Sequence, residues 1–435
     1  MEPVESWGRI RAEGALRRLW WRDDPLPADI TGTMLPFGRG RSYGDSCLDQ
    51  GGTLLLTRGL SRFISFDPAT GLLACEAGVT LAEILARFAP LGFFLPVVPG
   101  TKHVTLGGAI ANDIHGKNHH RAGAFGAHVT RLELLRSDGS RRLCSATENP
   151  DLFAATIGGL GLTGLVTWAE LRLKRIPSAW IRWETVPFRN VDAFFELSAL
   201  SDATHEYTVA WIDCLARGDQ LGRGLFYRGN HAEAPRRAGH PRRPLAVPVD
   251  LPDLALNRLT VKLFNTLYHW KNRAAGEKLV HYESFFFPLD GLERWNRIYG
   301  RSGLMQFQCV LPFDHGLTGV RTVLDLIARS GQGSFLAVLK TFGAVPSPGL
   351  LSFPRPGVTV ALDFPRRGER TLALFRELER LVLDQGGAMY PAKDLVMSPQ
   401  MFRASYPRAP ELARLRDPRF ESTFWRRVTA AEERP

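Results

Sequence analysis

The chain has 435 residues, 44% of them apolar and 23% charged, and a formal net charge of +11 from 55 basic and 44 acidic side chains. That length allows two or three domains, and the composition excludes a disordered chain, a coiled coil and, with 42 glycines in no repeating period, collagen. The positive balance suits an anionic partner such as a phosphate, a nucleic acid or a membrane surface.

The N-terminus begins with acids and has no apolar stretch of the signal-peptide kind, so none is expected. No run of 18 apolar residues occurs either, so no membrane-crossing helix is expected, while attachment to a membrane surface stays open. The first informative segment is PFGRGRSYGDS, residues 36–46. Gly38, Gly40 and Gly44 permit sharp turns and close main-chain approach, and their N–H groups can form an anion-binding nest. Strands are predicted over 52–60, 72–78, 131–139 and 164–176. A helix is predicted from Thr80 to Phe88, with Thr80 as N-cap and Leu81, Ile84, Leu85 and Phe88 on one face. Between these lies VVPGTKHVTLGGAIANDIHGKNHHRAGAFGAHV, residues 97–129, too rich in small residues to build a core by itself. Such a stretch makes sense where backbone must lie against a flat or charged ligand.

After residue 175 the pattern changes to apolar and aromatic strands, predicted over 180–188, 207–216, 303–312, 334–343 and 357–365. Helices are predicted over 318–330 and 368–385. The expected fold class is α+β, with a large antiparallel sheet and flanking helices in the second domain. Residues 217–243 hold seven arginines against Asp219 and Glu233 and read as a mobile basic loop near 217–250. Residues 252–273 read as a helix whose apolar stripe is Leu256, Leu259, Leu263, Phe264, Leu267 and Trp270, edged by Arg258, Lys262, Lys271 and Arg273. Such a helix either packs on its domain or docks at an anionic membrane surface.

Several chemistries find no support. Gly159-Leu160-Gly161-Leu162-Thr163-Gly164 matches G-x-G-x-x-G, but a helix-like stretch precedes it and a strand-like one follows, the reverse of the nicotinamide-dinucleotide fingerprint. His115, His119, His120 and His128 lack the HExxH spacing or a suitably placed carboxylate, so no metal is expected. There is no GxSxG and no Walker A motif. The five cysteines are far apart and form no CxxC, which favours a reducing, cytoplasmic setting. Only eight basic residues are lysines, and lysine is the one whose charge a pocket readily removes. Lys393, in the Tyr-x-x-Lys of GGAMYPAKDL (386–395), is a candidate to bind phosphate or take a hydroxyl proton.

Taken in order, RGRSYGD, PVVPGTKHVTLGGAIANDIHGKNHH, IGGLGLTGLV and YPAKD resemble the FAD-dependent oxidases of the vanillyl-alcohol-oxidase fold, with their PCMH-type FAD-binding domain. Within that family they resemble the branch that oxidises a polyprenylphosphoryl ribose at its 2′ carbon. The likeness extends to LNRLTVKLFN, YESFFFPLD and WNRIYG. It implies an FAD domain split between 1–176 and 388–435, with a substrate domain over 177–387. By position, FAD contacts fall on Pro36, Phe37, Gly38, Arg39, Gly40, Arg41, Ser42, Tyr43, Gly44, Asp45 and Ser46. They continue on Gly100, Thr105, Leu106, Gly107, Gly108, Asn112, Asp113, Ile114, His115, Gly164, Val166 and Tyr390. Many relatives tether flavin to a histidine in the first glycine loop. This chain has Arg41-Ser42-Tyr43-Gly44 there, which implies non-covalent FAD.

On the substrate side the resemblance points to Trp211, Gln306, Gln308, Lys340 and Lys393, beside His115. Thr359 and Ala361 depart from the asparagine and cysteine that relatives carry. The implied chemistry is hydride transfer from a secondary alcohol carbon to flavin N5, with Lys393, aided by His115, taking the hydroxyl proton. The implied partners are a lipid-linked sugar phosphate, a quinone or oxygen as electron acceptor, and a separate NAD-dependent reductase that completes an epimerisation in arabinan synthesis. Peripheral membrane association follows from the lipid tail. A soluble sugar, alditol or aldonolactone oxidase is the alternative within the fold. A basic binding protein without catalysis is the alternative outside it, and no motif supports nucleic acid as the partner.

Overall fold

The computed structural model describes residues 4–234, 245–274 and 276–430. In the first third, β1 (Ala15–Arg18), β2 (Met34–Phe37) and β3 (Thr53–Leu56) form a small parallel sheet with β3 central. β4 (Phe63–Asp67) and β5 (Leu72–Glu76) begin a second sheet. α1 (Leu81–Phe88) follows, closed by a reciprocal cap in which Thr80 accepts from Glu83 N–H and Glu83 accepts from Thr80 N–H. Its Leu81, Ile84, Leu85 and Phe88 are all buried, as the 3.6-residue spacing predicts. α2 (Leu106–Ala111) is capped by Thr105, whose Oγ1 accepts the Gly108 N–H at 3.2 Å. β6 (Val129–Leu135) and β7 (Arg141–Ser145) lead to α3 (Pro150–Thr156), and β8 (Leu165–Arg172) completes the second sheet in the order β4-β5-β8-β6-β7. The Gly159–Gly164 segment thus runs from a helix into a strand, the opposite of a dinucleotide-binding turn.

The rest of the chain builds an eight-stranded sheet. Its members are β9 (Trp180–Phe188), β10 (Tyr207–Ile212), β11 (Gly224–Ala232), β12 (Gly276–His281), β13 (Leu304–Leu311), β14 (Ala337–Phe342), β15 (Gly357–Pro365) and β16 (Ala388–Met389). They lie in the order β12-β9-β11-β10-β14-β15-β13-β16, every pair antiparallel. Side chains alternate between faces. Phe307, Cys309, Leu311, Leu339, Val360, Leu362 and Phe364 fall on one face and are wholly buried with residues of the flanking helices. The opposite face carries Trp211, Gln306, Gln308, Lys340, Thr359, Ala361 and Asp363, because registered partners Gln306↔Asp363, Gln308↔Ala361, Lys340↔Thr359 and Trp211↔Val338 point the same way.

Two expectations need correction. The basic loop near 217–250 contains a strand: β11 pairs with β9 over nine residues and with β10 over six. Two of its arginines read as solvated because their carboxylates lie outside the segment. Arg228 is bonded to Glu184 at 2.7 Å and Arg223 to Asp213 at 3.0 Å. Residues 235–244 of that expected loop lie outside the described residues. The helix expected over 252–273 starts later, as α5 (Arg258–Asn272), with a short 3-10 turn at Asp253–Ala255 before it. It is anchored by buried Val261 and Asn265, and the Asn265 amide donates to Asp213 at 3.0 Å and Ser334 O at 3.3 Å. Its apolar stripe lies on the side turned away: Leu259, Leu263, Leu267 and Trp270 are 78%, 60%, 54% and 64% exposed. The helices at α6 (Phe313–Ser330) and α7 (Glu369–Asp384) cover the apolar sheet face.

The C-terminal stretch returns to the first third. Met34 N–H donates to Arg419 O, Glu421 N–H to Met34 O and Thr423 N–H to Leu48 O. Arg427 bonds Asp45 at 2.9 Å and Asp394 at 2.9 Å, and both carboxylates are buried. Replacing Arg427 by Ala strands two buried charges, so a loss of about 3–5 kcal/mol of stability is expected. Urea unfolding of R427A against wild type measures it, and R427K should recover only part because the guanidinium fork is lost.

Candidate active site

Three segments distant in sequence meet at one edge of the sheet. The first glycine loop touches the second: a Cβ on Gly38 would lie 2.4 Å from Thr105 Oγ1. It also touches the turn after β16, where Tyr43 N–H donates to Ala392 O at 2.8 Å. A Cβ on Gly44 would lie 1.5 Å from Asp394 O, so only glycine fits there. The second segment is pinned to the same turn, since the Tyr390 hydroxyl donates to Asn112 O at 2.9 Å and Tyr390 N–H donates to Gln308 O. Tyr390 stacks on Phe353 with ring centres 4.7 Å apart.

These contacts bring Lys393 over the Tyr43 ring, its Nζ 3.8 Å from the ring centre. Burial lowers the Lys393 ammonium to about 8, while Asp363 acts in the opposite sense. Asp363 is fully buried, accepts a hydrogen bond from the Gln306 amide, and is raised to about 7 by burial, with Gln306 and Lys393 opposing. Its Oδ2, the Gln306 Oε1 and the Tyr299 hydroxyl are buried polar atoms without a partner among the described residues. A cluster of unsatisfied polar atoms beside an amine fits a polar ligand such as a sugar.

His115 sits at the other side of this cluster. Lys340 Nζ reaches its Nδ1 at 3.0 Å and the Gln308 amide meets its Nε2 at 3.0 Å. Burial first, then Lys340, His119 and Lys393, hold the imidazole well below its ordinary range, so it is neutral. A neutral ring bonded at both nitrogens orients its neighbours rather than storing a proton. Lys340 is itself lowered to about 7 by burial and then by Lys117 and Lys393. Lys117 is lowered to about 7 by burial, and its ammonium donates to Phe285 O and Phe286 O, each at 3.0 Å. Three of the eight lysines therefore crowd one region with Asp363 as the buried acid, an arrangement that favours an anionic ligand. Of the other histidines, His119 packs on Phe342, His120 meets His205 O at 3.1 Å and His128 meets Ala122 O at 2.8 Å.

The first glycine loop fits a dinucleotide. Among the described residues, the N–H groups of Arg39, Gly40, Arg41 and Ser42 have no acceptor, and Ser46 Oγ and Arg41 Nε are buried without partners. Gly40 has φ of 59°, and Gly100 has open space around it. Several other expected cofactor residues have side chains already engaged within the protein. The side chains of Phe37, Leu106, Ile114 and Val166 are in the hydrophobic core. Asp45 faces Arg427, and Asp113 accepts from Gly126 N–H, Ser347 and Ser352. Gly107 lies against Ala77, and Gly164 against Leu135 O. Asn112 caps α2 through its amide to Gly108 O. On the substrate side, Trp211 donates to Phe335 O at 3.0 Å, and Thr359 accepts from Gln308 at 3.2 Å. Ala361 is half-buried beside them, and Cys309, on the far face of β13, is pushed up to about 12 by burial. A recess of about 570 Å³ walled by Arg9, Arg11, Asp250, Arg301 and Arg366 lies outside this cluster.

Asp363 and Tyr299 were missed in the sequence. Alternation along GVTVALDFP offered a signal for the first: Thr359 and Ala361 already marked the pocket face, and Asp363 is the next residue on it.

Residues 31–145 match the FAD binding domain family. The chain is 37% identical over 391 residues to decaprenylphosphoryl-beta-D-ribose oxidase of Mycolicibacterium smegmatis, covering 87% of this chain and 84% of that one. It is 34% identical over 358 residues to an uncharacterized protein from the mprA 5' region of Streptomyces coelicolor, covering 78% of this chain and 95% of that one. A shorter stretch of 135 residues is 30% identical to human Delta(24)-sterol reductase, covering 31% of this chain and 26% of that one.

Because Asp363 raises Lys393, Asp363→Asn should move the alkaline rise in the rate of substrate oxidation to lower pH by about 1 unit or more. Rate–pH profiles of the two proteins check the sign, and the apparent midpoints belong to the coupled pair.

Proposed function

The chain belongs to the family of FAD-dependent oxidases that includes decaprenylphosphoryl-beta-D-ribose oxidase, and on that premise we propose that it oxidises a secondary hydroxyl of a polyprenylphosphoryl pentose to the ketone. The observation that carries this reading is the placement of Lys393. It is held over Tyr43 of the first glycine loop and shares its pocket with Asp363, Gln306 and the Lys340–His115 pair.

Residues 38–46 and the Gly100–Asn112 segment would hold FAD, which would supply the two-electron acceptor. The protein does the rest. Lys393, near 8, is partly neutral at physiological pH and accepts the hydroxyl proton as the carbon is oxidised. Asp363 faces the ammonium that results and stabilises it. Gln306 and the Tyr299 hydroxyl present unsatisfied polar atoms to sugar hydroxyls. Lys340, lowered to about 7 by burial, would be recharged by a bound phosphate and donate to it, and neutral His115 fixes its position. The ketone is the natural substrate of a separate NAD-dependent reductase, which would complete an epimerisation, and a quinone or oxygen takes the electrons onward.

The outward apolar stripe of α5 supports presentation at a membrane. An ordinary surface helix buries its apolar side, whereas α5 is anchored by Val261 and Asn265 and exposes Leu259, Leu263, Leu267 and Trp270. Arg258, Lys262, Lys271 and Arg273 border the stripe, and each basic residue near an anionic surface adds about 1 kcal/mol. No helix of the described residues is long and apolar enough to cross a membrane, so attachment would be peripheral.

Two measurements test these statements. Lys393→Ala should keep the yellow flavin spectrum and lose anaerobic bleaching by a polyprenylphosphoryl pentose by about 10²-fold or more. Bleaching at the wild-type rate removes Lys393 from the chemistry, and bleaching of wild type by free pentoses or polyols alone selects a soluble-sugar oxidase. The double variant Leu263→Glu, Leu267→Glu should lose salt-sensitive flotation with anionic phospholipid vesicles while keeping its thermal midpoint.

A further inference from the structure

A line of aromatic rings runs from the polar pocket to the outer face of α5. Tyr299 stacks on Phe335 with ring centres 5.6 Å apart, and Phe335 meets Phe264 of α5 at 5.5 Å. Phe264 stacks on Tyr268 at 5.7 Å, and Tyr268 meets Trp211 at 4.7 Å. At the inner end, Tyr299 packs in one cluster with Tyr43, and its buried hydroxyl has no partner among the described residues. At the outer end, Phe264 is 44% exposed and adjoins the exposed stripe.

Fixing the helix does not require Phe264 to be where it is. Asn265, Val261 and the Tyr268–Tyr227 hydroxyl contact at 3.1 Å already hold α5 on the sheet. Phe264 contacts two rings and still leaves 44% of its surface exposed. Polarity falls along the branch from Asp363 and Gln306 through the Tyr299 hydroxyl to the phenyl rings of Phe335 and Phe264 and then to the leucines of the stripe. That gradient matches an amphiphile with a polar head and a hydrocarbon tail, whose methyl and methylene groups pack well on ring faces.

We propose that the apolar flank formed by Phe264 of α5 and by Phe335, just before β14, holds the first isoprene units of the substrate tail and leads them from the pocket to the apolar outer face. This rests on the reading of the substrate as a polyprenylphosphoryl pentose. The helix then has two uses for its apolar residues: the outer stripe meets the bilayer and the flank meets the substrate.

The test uses the FAD-loaded full chain in detergent solution without vesicles, so that membrane docking does not contribute. Pentosyl phosphates bearing two and ten isoprene units are compared by kcat/KM. Phe264→Asp should lose at least 10-fold on the long chain and less than 2-fold on the short one. Phe264→Leu should restore most of the loss. Thr266→Glu, an exposed charge added to the same helix off the flank, should keep the wild-type preference. Equal losses on both substrates, or no loss on the long one, overturn the proposal. If wild type oxidises neither compound, the functional reading fails instead. The tail site is then judged by tryptophan quenching with decaprenyl phosphate: tighter binding to wild type than to F264D sustains it, and equal binding overturns it.

Discussion

The contact between the first glycine loop and the turn after β16 is the constraint on which the site depends. Gly44 lies so close to Asp394 O that no side chain fits, and Tyr43 N–H is bonded to Ala392 O. That approach sets Lys393 above Tyr43 and closes the pocket between two parts of the chain about 350 residues apart. Arg427 reinforces the joint by bridging Asp45, from the loop, and Asp394, from the turn. An ion pair of this sort adds little net energy once desolvation is counted, yet it penalises every arrangement that separates the carboxylates from the guanidinium.

Sheet alternation does the rest of the positioning. One face of β13, β14 and β15 is mostly apolar and disappears under α6 and α7. The other face, one residue out of step, bears amides, a carboxylate, a lysine and small residues. A strand cannot move one of these without moving its neighbours to the wrong side. The electrostatics follow from the same placement. Lys340, Lys393 and Asp363 all have ordinary intrinsic acidities, and burial with few counter-charges brings all three near neutrality.

Much of this was legible in the sequence, for identifiable reasons. The strands at Trp180–Phe188 and Gly357–Pro365 coincide with their predicted spans because β-branched and aromatic runs there end at turn residues. α1 was legible from Thr80 and the spacing of its leucines. β11 was hidden because Arg223 and Arg228 look solvated until Asp213 and Glu184 are placed beside them. The orientation of α5 was hidden because periodicity gives a stripe but not the direction it faces. Asp363 was hidden because an acid near a strand end reads as exposed, and only the register opposite Gln306 shows it buried. The glycine segments carried the cofactor signal, and the carboxylates of Asp45 and Asp113 within them also brace the scaffold.

Ala361 puts a methyl group on the pocket face, and Cys309, a neighbour across the ladder, points the opposite way. Cys75, Cys144 and Cys214 are buried too, and burial raises every one of the five thiols, so none exists as thiolate near neutral pH. A reactive electrophile entering the cleft would therefore meet amines and amides but no nucleophilic sulfur. Peroxide, formed there only if oxygen takes the electrons, would likewise meet no thiolate.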